Sequence, residues 1–182
     1  SRYNPANNSM ALLKPVLFND NKTLQVISFM QASNGKFYGL ASTNDSLITN
    51  GEEIFEFDIA TNNYKTLYRF NDTANGLKAF GRLVQHPNGL LYGITTSGGT
   101  GNHGTIYSFN IVTNAFIKLH DLCCVHDFSF EYPTIASNGK LYGSANGMLF
   151  EFNISTNTYT PLQQIDGFIG ALVEPVSGKL FG

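Results

Sequence analysis

The sequence predicts an all-β fold built from repeated four-stranded antiparallel sheets. Three observations predict it. A turn followed by an aromatic strand occurs four times, an alternating apolar strand occurs three times, and no convincing amphipathic segment of helical period is present.

The turn comes first. Asn34-Gly35-Lys36-Phe37-Tyr38-Gly39 recurs as Asn88-Gly89-Leu90-Leu91-Tyr92-Gly93, as Asn138-Gly139-Lys140-Leu141-Tyr142-Gly143 and as Ser177-Gly178-Lys179-Leu180-Phe181-Gly182. Asn-Gly supplies the positive φ that a tight hairpin requires. The strand before the turn is placed at residues 26–31, 80–85, 133–136 and 170–174. The strand after it is typified by residues 90–95.

The third strand is the alternating run Ile54-Phe55-Glu56-Phe57-Asp58-Ile59, with copies at residues 105–111 and 149–154. A period of two sets Phe55, Phe57 and Ile59 on one face and Glu56 and Asp58 on the other. Tyr107, Phe109 and Ile111 repeat that face, as do Phe150, Phe152 and Ile154. The fourth strand begins at Tyr64, Phe116 or Tyr159. Between strands three and four lie Asp58…Thr61-Asn62, Asn110…Thr113-Asn114 and Asn153…Thr156-Asn157. Their side chains bond the local backbone, and Asn tolerates the left-handed conformation.

Such a unit, about 40 to 50 residues long, has the size of a β-propeller blade. Leu17-Phe18-Asn19-Asp20 echoes Arg69-Phe70-Asn71-Asp72, so the repeat region is expected to span 13–182. The divisions expected are a partial blade 13–31, blades at 32–84, 85–135 and 136–173, and a partial blade 174–182. Residues 1–12, polar and Asn-rich, are expected to form an extended arm. The repeats are expected to be a segment of a larger ring; the alternative is that the partial ends pair into one composite blade.

Composition narrows the function. Apolar residues make up 42% and charged residues 13%, so the chain can bury a core and is not a solvated, disordered one. A net charge of −2 argues against a nucleic-acid partner, which requires clustered Lys and Arg. No apolar run is long enough for a membrane span. Cys123 and Cys124 are adjacent, so they are either reduced core thiols or a strained vicinal disulfide. No signal peptide is visible from Ser1 onward.

Loop lengths point to one face. The turn Asn and the strand-two aromatic are always four residues apart, and the strand-three Phe and the strand-four aromatic always seven. The strand two-to-three connection and the link to the next unit vary. In an antiparallel meander those two connections share one end of the sheet. Variable loops on a rigid scaffold are where binding residues concentrate. The candidate binding residues are therefore Asp45, Asp72, His103, His126, Asp127, Phe128 and Tyr132.

Competing motifs are weaker. Gly99-Thr100-Gly101-Asn102-His103-Gly104 has the dinucleotide-loop spacing, but a strand follows it where a helix N-terminus is required. His120-Asp121-Leu122-Cys123-Cys124-Val125-His126-Asp127 is dense in metal-ligand types, yet reads more simply as a strand end entering a loop. No catalytic residue, metal or cofactor is assigned. Asp45, Asp72, Asp127, Glu131 and Asp166 allow many carboxylate pairs and single out none. Sequons at Asn21, Asn44, Asn71 and Asn153, and Asp45-Ser46-Leu47 and Asp72-Thr73-Ala74, which look like a Bacteroidota O-glycosylation signal, favour an extracellular or cell-surface location.

The second unit carries a resemblance. Leu91-Tyr92-Gly93-Ile94-Thr95-Thr96-Ser97-Gly98-Gly99, then Gly104-Thr105-Ile106-Tyr107-Ser108-Phe109, then Leu119-His120-Asp121-Leu122, resemble one unit of the GloVer-type tandem repeat proteins, bacterial surface or secreted proteins with varied anchors. The Asp58-x-x-Thr61-x-x-Tyr64 pattern resembles a kelch blade with Tyr at the usual Trp position. Both resemblances imply a β-propeller, and neither brings a catalytic residue. The function expected is a non-enzymatic binding or scaffold module of an exported bacterial protein, taking a glycan or protein on the loop face. Its further partners would be the remaining blades of the same or another chain. The alternative is a propeller enzyme acting on carbohydrate with loop carboxylates as acid and base.

Overall fold

The computed structural model describes residues 2–4, 9–11, 24–43, 51–123, 132–145, 147–165 and 171–182. Strands β1 (Arg2–Asn4) and β2 (Ser9–Ala11) form a two-stranded sheet. Three four-stranded sheets follow. The first contains β3 (Leu24–Gln31), β4 (Phe37–Thr43), β5 (Glu52–Asp58) and β6 (Asn63–Arg69). The second contains β7 (Val84–Gln85), β8 (Leu91–Ile94), β9 (Thr105–Phe109) and β10 (Phe116–Asp121). The third contains β11 (Thr134–Ile135), β12 (Leu141–Ala145), β13 (Met148–Asn153) and β14 (Thr158–Gln164). A last two-stranded sheet holds β15 (Val173–Val176) and β16 (Lys179–Phe181). All pairings are antiparallel and each four-stranded sheet is a meander in chain order. The one helical element among the described residues is a 3-10 turn, Thr100–Asn102.

The register repeats as the spacings require. Phe37 faces Phe57, Leu91 faces Phe109 and Leu141 faces Phe152. The turn Asn fixes each hairpin: the Oδ1 of Asn34, Asn88 and Asn138 accepts the N–H two residues on. Gly35 follows at φ 81° with open space around it, so positive φ alone explains that glycine. The glycine after the strand-two aromatic has a different cause. A Cβ on Gly39 would lie 2.7 Å from Phe55 Cζ, and one on Gly143 would lie 2.9 Å from Phe150 Cζ. The strand-three aromatic lies across the backbone there, and a side chain would displace it.

The sheets begin at β3, β7 and β11, so each takes in the strand before its Asn-Gly turn, and residues 2–4 and 9–11 pair as β1 and β2. The first strands of the second and third sheets are also short, two residues each. Residues 80–83 serve as a link, with Lys78 and Gly81 at positive φ.

The sheets pack face to face. Tyr68 of β6 stacks on Phe116 of β10, 4.1 Å between centroids and 3° between planes, and Phe70 meets Tyr107. One core cluster spans the first and second sheets and includes Tyr38, Ile54, Phe70, Tyr107 and Phe109. Another spans the second and third and includes Ile94, Ile106, Phe150 and Phe152. The polar face of strand three is therefore not a solvent face. Tyr38 and Glu56 are partners across the β4–β5 register. Tyr38 Oη donates to Glu56 Oε2 at 2.8 Å, Lys36 Nζ to Glu56 Oε1 at 2.7 Å, and Asn34 Nδ2 to Tyr38 Oη at 2.9 Å. Asn138, Lys140, Tyr142 and Glu151 repeat the same four-residue network in the third sheet. In both networks the half-buried carboxylate is bonded by a tyrosine hydroxyl and a lysine ammonium.

Successive sheets also touch through their first strands. Ser33 N–H donates to Gln85 Oε1 at 2.7 Å, and Arg82 reaches Pro133 O and Thr134 Oγ1. Thr134 Oγ1 donates to Leu172 O at 2.6 Å, and Ser137 bonds Glu174. The first strands therefore line the shared inner side of a propeller arc, and β15–β16 continues it.

Candidate functional site

The candidate site is the end of the second sheet where the long loops meet. Three segments build it: the link at residues 72–80, the β8–β9 loop at 95–104, and Asp121 at the end of β10 with Leu122 and Cys123 after it. The first two are joined like strands by the Leu77–Ser97 bridge, and an Asp72–Gly76 bridge folds the link on itself. Leu77 N–H donates to Ser97 O at 2.7 Å, Gly99 N–H to Thr73 O at 2.6 Å and Thr96 N–H to Lys78 O at 3.1 Å. Leu122 N–H donates to Gly104 O at 2.9 Å and ties in the third segment. The loop beginning at Thr96 and the segment ending at Cys123 thus lie at the same end of their sheet.

Buried threonines form the floor. Thr95 and Thr105, both 0% exposed, join through their hydroxyls at 3.0 Å. Thr105 N–H donates to Thr95 Oγ1, and Thr105 Oγ1 donates to Asn75 O of the link. Gly76 sits against both: a Cβ there would collide with Thr95 Oγ1 and lie 2.6 Å from Thr105 Oγ1. Here small residue size holds the link and loop in contact.

Asp121 anchors the outer part. Thr100 donates to it twice, N–H to Oδ1 at 3.1 Å and Oγ1 to Oδ2 at 3.0 Å, and Lys118 Nζ lies 2.9 Å from Oδ1. Burial opposes ionisation of Asp121, but the Lys118 ammonium and the Thr100 donors outweigh it and hold the carboxyl below its usual value.

The glycine-rich spacing does not make a phosphate cradle. Gly98 N–H is taken by Asn102 Oδ1, Gly99 N–H by Thr73 O, Thr100 N–H by Asp121, Asn102 N–H by Gly99 O and Gly104 N–H by Gly98 O. A phosphate needs backbone N–H groups turned outward to it, and these five are turned inward.

Three of the seven candidate residues fall within the described residues along with their side chains. Asp72 is exposed and makes a side-chain-capped turn: Oδ1 accepts Ala74 N–H, and Oδ2 accepts Asn75 Nδ2 at 2.7 Å. His103 is half-buried at the end of the 3-10 turn, 3.0 Å from where a Cβ on Gly101 would stand. Tyr132 is half-buried one sheet further on, in the segment that leads into β11. The structure joins the loops of Asp72 and His103 and sets Tyr132 apart. Asp45, His126, Asp127 and Phe128 lie outside the described residues, as do Glu131 and Asp166.

The metal reading of the His120 stretch changes. His120 is a packing residue, stacked on Tyr159 of the third sheet at 4.6 Å and 11°. Among the described residues no group of three His, Cys, Asp or Glu side chains could hold a metal ion. Cys123 is exposed, so the core-thiol reading does not hold for it; Cys124 lies outside the described residues. Sequence reasoning missed Thr95, Thr105, Asp121 and Thr100. The signal available was a pair of threonines flanking a glycine-rich loop at strand ends, which is weak in a Thr-rich chain.

Successive four-stranded meanders packed face to face, with first strands inward, define a propeller-type repeat protein. The chain belongs to the Gloeobacter/Verrucomicrobia repeat family, which it matches over residues 1–181. Two structures of the extracellular domain of BT4673 from B. thetaiotaomicron share the fold, one described as a one component system and one as a hybrid two component system. Their TM-scores are 0.59 and 0.53, at 11% and 17% identity, over 86% and 81% of this chain. The tricorn protease matches with a TM-score of 0.50 at 15% identity over 81% of this chain. The chain covers 19%, 18% and 13% of those three chains. Among curated proteins no relative matches. No helix in the described residues is long and apolar enough to cross a membrane.

Proposed function

We propose that the chain is a non-enzymatic binding module of an exported bacterial protein, and that it presents the loop end of its blades to a glycan or a protein. The observation that carries this reading is the construction of that end. Link and loop are joined by backbone bonds over buried threonines, so the exposed residues Thr73, Ala74, Thr100 and Asn102 stand on a pre-ordered base. Pre-ordered loops lose little entropy on binding. The described loop carboxylates favour binding over turnover. Asp72 and Asp121 each use both oxygens to hold loop backbone or neighbouring side chains. A general acid or base must instead reach substrate. The extracellular domains among the structural neighbours are in keeping with an exported location.

The test is a panel of soluble oligosaccharides and bacterial surface polysaccharides, scored by thermal shift and by release of reducing ends. The module reading expects a thermal shift with one class of glycan, reduced at least tenfold in apparent affinity by Thr100→Arg together with Thr73→Arg, and no new reducing ends. Catalytic release of sugar would replace it with the enzyme reading. Undiminished binding by the double variant would remove the loop end as the site.

A further inference from the structure

The loop end commits most of its backbone N–H groups to the fold. Ala74 N–H donates to Asp72 Oδ1, Asn75 and Gly76 N–H donate to Asp72 O, and Leu77 N–H donates to Ser97 O. In the β8–β9 loop the N–H groups of Gly98, Gly99, Thr100, Asn102 and Gly104 are likewise bonded inward. The carbonyls are not treated alike. Those of Thr73, Gly98 and Gly99 accept within the fold, whereas those of Ala74, Thr100, Gly101 and Asn102 accept no hydrogen bond among the described residues. All four of these residues are exposed. A surface rich in open acceptors and poor in open donors suits a ligand that donates.

Charge and size narrow that ligand. The Lys118 ammonium is held by both oxygens of Asp121, at 2.9 and 3.0 Å, and the link carries one acid, Asp72, against one base, Lys78. The sequence that continues from Cys123, residues 124–131, holds Asp127 and Glu131 and no Lys or Arg. The loop end therefore has no surplus of positive charge and no cradle of N–H groups, and a carboxylate, sulfate or phosphate needs one or the other. Thr73, Ala74, Thr100, Gly101 and Asn102 are small, and Gly101, at φ 80°, has no side chain at all. Hydroxyl groups can approach the main chain there closely. A protein partner is instead anchored by aromatic or Arg side chains entering desolvated pockets, and an exposed run of small residues is no such pocket.

We propose that the loop end takes an uncharged glycan, whose hydroxyls donate to the open carbonyls of Ala74, Thr100, Gly101 and Asn102, and that it discriminates against glycans bearing carboxylate, sulfate or phosphate. This rests on the loop end being the binding surface, and it narrows the ligand to one chemical class. The preference lies in the main chain, because the side chains that could carry charge to the ligand are already engaged: Asp121 by Thr100 and Lys118, and Asp72 by Ala74 and Asn75.

The experiment presents glycans to the full chain in pairs that differ in charge: dextran with dextran sulfate, and a uronic-acid bacterial surface polysaccharide with its carboxyl-reduced form. Titration calorimetry reads both members of each pair. The uncharged member of at least one pair is expected to bind at least tenfold tighter than its twin. Its affinity is expected to change less than about twofold between about 50 and 500 mM NaCl, since no ion pair is screened. Thr73→Lys, at an exposed side chain that makes no hydrogen bond among the described residues, adds a cation and is expected to shift the ratio at least fivefold toward the charged twin. Tighter or equal binding of the charged twins overturns the proposal and leaves the module reading standing, as does a loop-end ligand that proves to be a protein. Failure of both members of every pair to bind also overturns it. Binding undiminished by Thr100→Arg with Thr73→Arg moves the site elsewhere and removes both readings together.

Discussion

The imidazole of His120 lies nearly parallel to the ring of Tyr159, 4.6 Å away and on the next sheet. Tyr68 holds the same register position opposite Ile54 that His120 holds opposite Ile106, and Tyr68 stacks on Phe116 in the same way. A flat side chain at this place in strand four is thus the hinge pin between blades, and in one junction it is titratable.

Burial holds the His120 pKa below its usual value, with Asp121 opposing the shift. The sign follows. The unfolded chain takes up the proton first, so the neutral stack contributes fully above the unfolded value of about 6.5. Stability then falls as pH drops through that value toward the lowered folded one. Melting temperatures are expected to decline from pH 8 to pH 5, and His120→Tyr is expected to remove the part of the decline that sets in below about pH 6.5. A parallel decline in the variant would assign the effect elsewhere.

The carboxylates of Glu56 and Glu151 act at lower pH. For Glu56 burial works against the charge, but bonds from Lys36 and Tyr38 prevail; for Glu151 the bonds from Lys140 and Tyr142 dominate. Both are held below the usual carboxylate range. Their contribution is present above about pH 4.3 and is lost as pH falls through the lowered folded values. Glu151→Ala removes the acceptor of Tyr142 Oη and Lys140 Nζ, and because solvent screens so accessible a group it is expected to cost only about 0.5–1 kcal/mol in urea unfolding at pH 7. It is also expected to flatten the acid limb of the pH profile. Tyr142→Phe removes one of these bonds and is expected to cost less.

Gly76 and Gly35 separate two reasons for glycine. Both have positive φ, at 111° and 81°. At Gly35 nothing would meet a Cβ, so Gly35→Ala carries only the left-handed penalty of about 1–2 kcal/mol. At Gly76 the new carbon would enter the Thr95–Thr105 pair, and Gly76→Ala is expected to cost at least about 2 kcal/mol more. Urea midpoints decide it. If the two substitutions cost the same, the threonine floor is softer than described.

The repeat was legible because its period is local: Asn-Gly turns and Phe-x-Phe strands announce themselves within six residues. Tyr38 facing Glu56 was not, since Tyr38 and Ile54, on the same face as Glu56, pack in the core shared with the second sheet, whereas alternation alone suggests a solvent face for Glu56. The Asp72–Gly76 link was visible only as variable length. Its bonds, Gly99 N–H to Thr73 O, Leu77 N–H to Ser97 O and Thr105 Oγ1 to Asn75 O, join residues far apart in sequence. The β1–β2 hairpin, in which Tyr3 faces Met10 as Phe57 faces Tyr64, escaped for another reason. Met10 replaces the aromatic that marks strand four elsewhere, and Pro5 stands where Ile59 and Ile111 stand.

Ser33 and Gln85 suggest a pairing rule between neighbouring blades. The residue before each turn Asn faces the residue three before the next turn Asn. Ser33 donates its N–H to Gln85, and Ser137 donates its N–H to Glu174 at 2.6 Å. At the middle junction Pro87 has no N–H and Ile135 has no acceptor. Pro87 in the equivalent turn shows that the backbone accepts proline, so Ser33→Pro removes the donor with little strain. Gln85→Ile removes the acceptor along with its bond to Gly89 O. Each single variant is expected to lose about 0.5–1.5 kcal/mol in urea unfolding. The double variant recreates the Pro87–Ile135 combination and is expected to recover a coupling of about 0.5–1 kcal/mol. Strict additivity in that cycle would mean that the two side chains are neighbours without being partners.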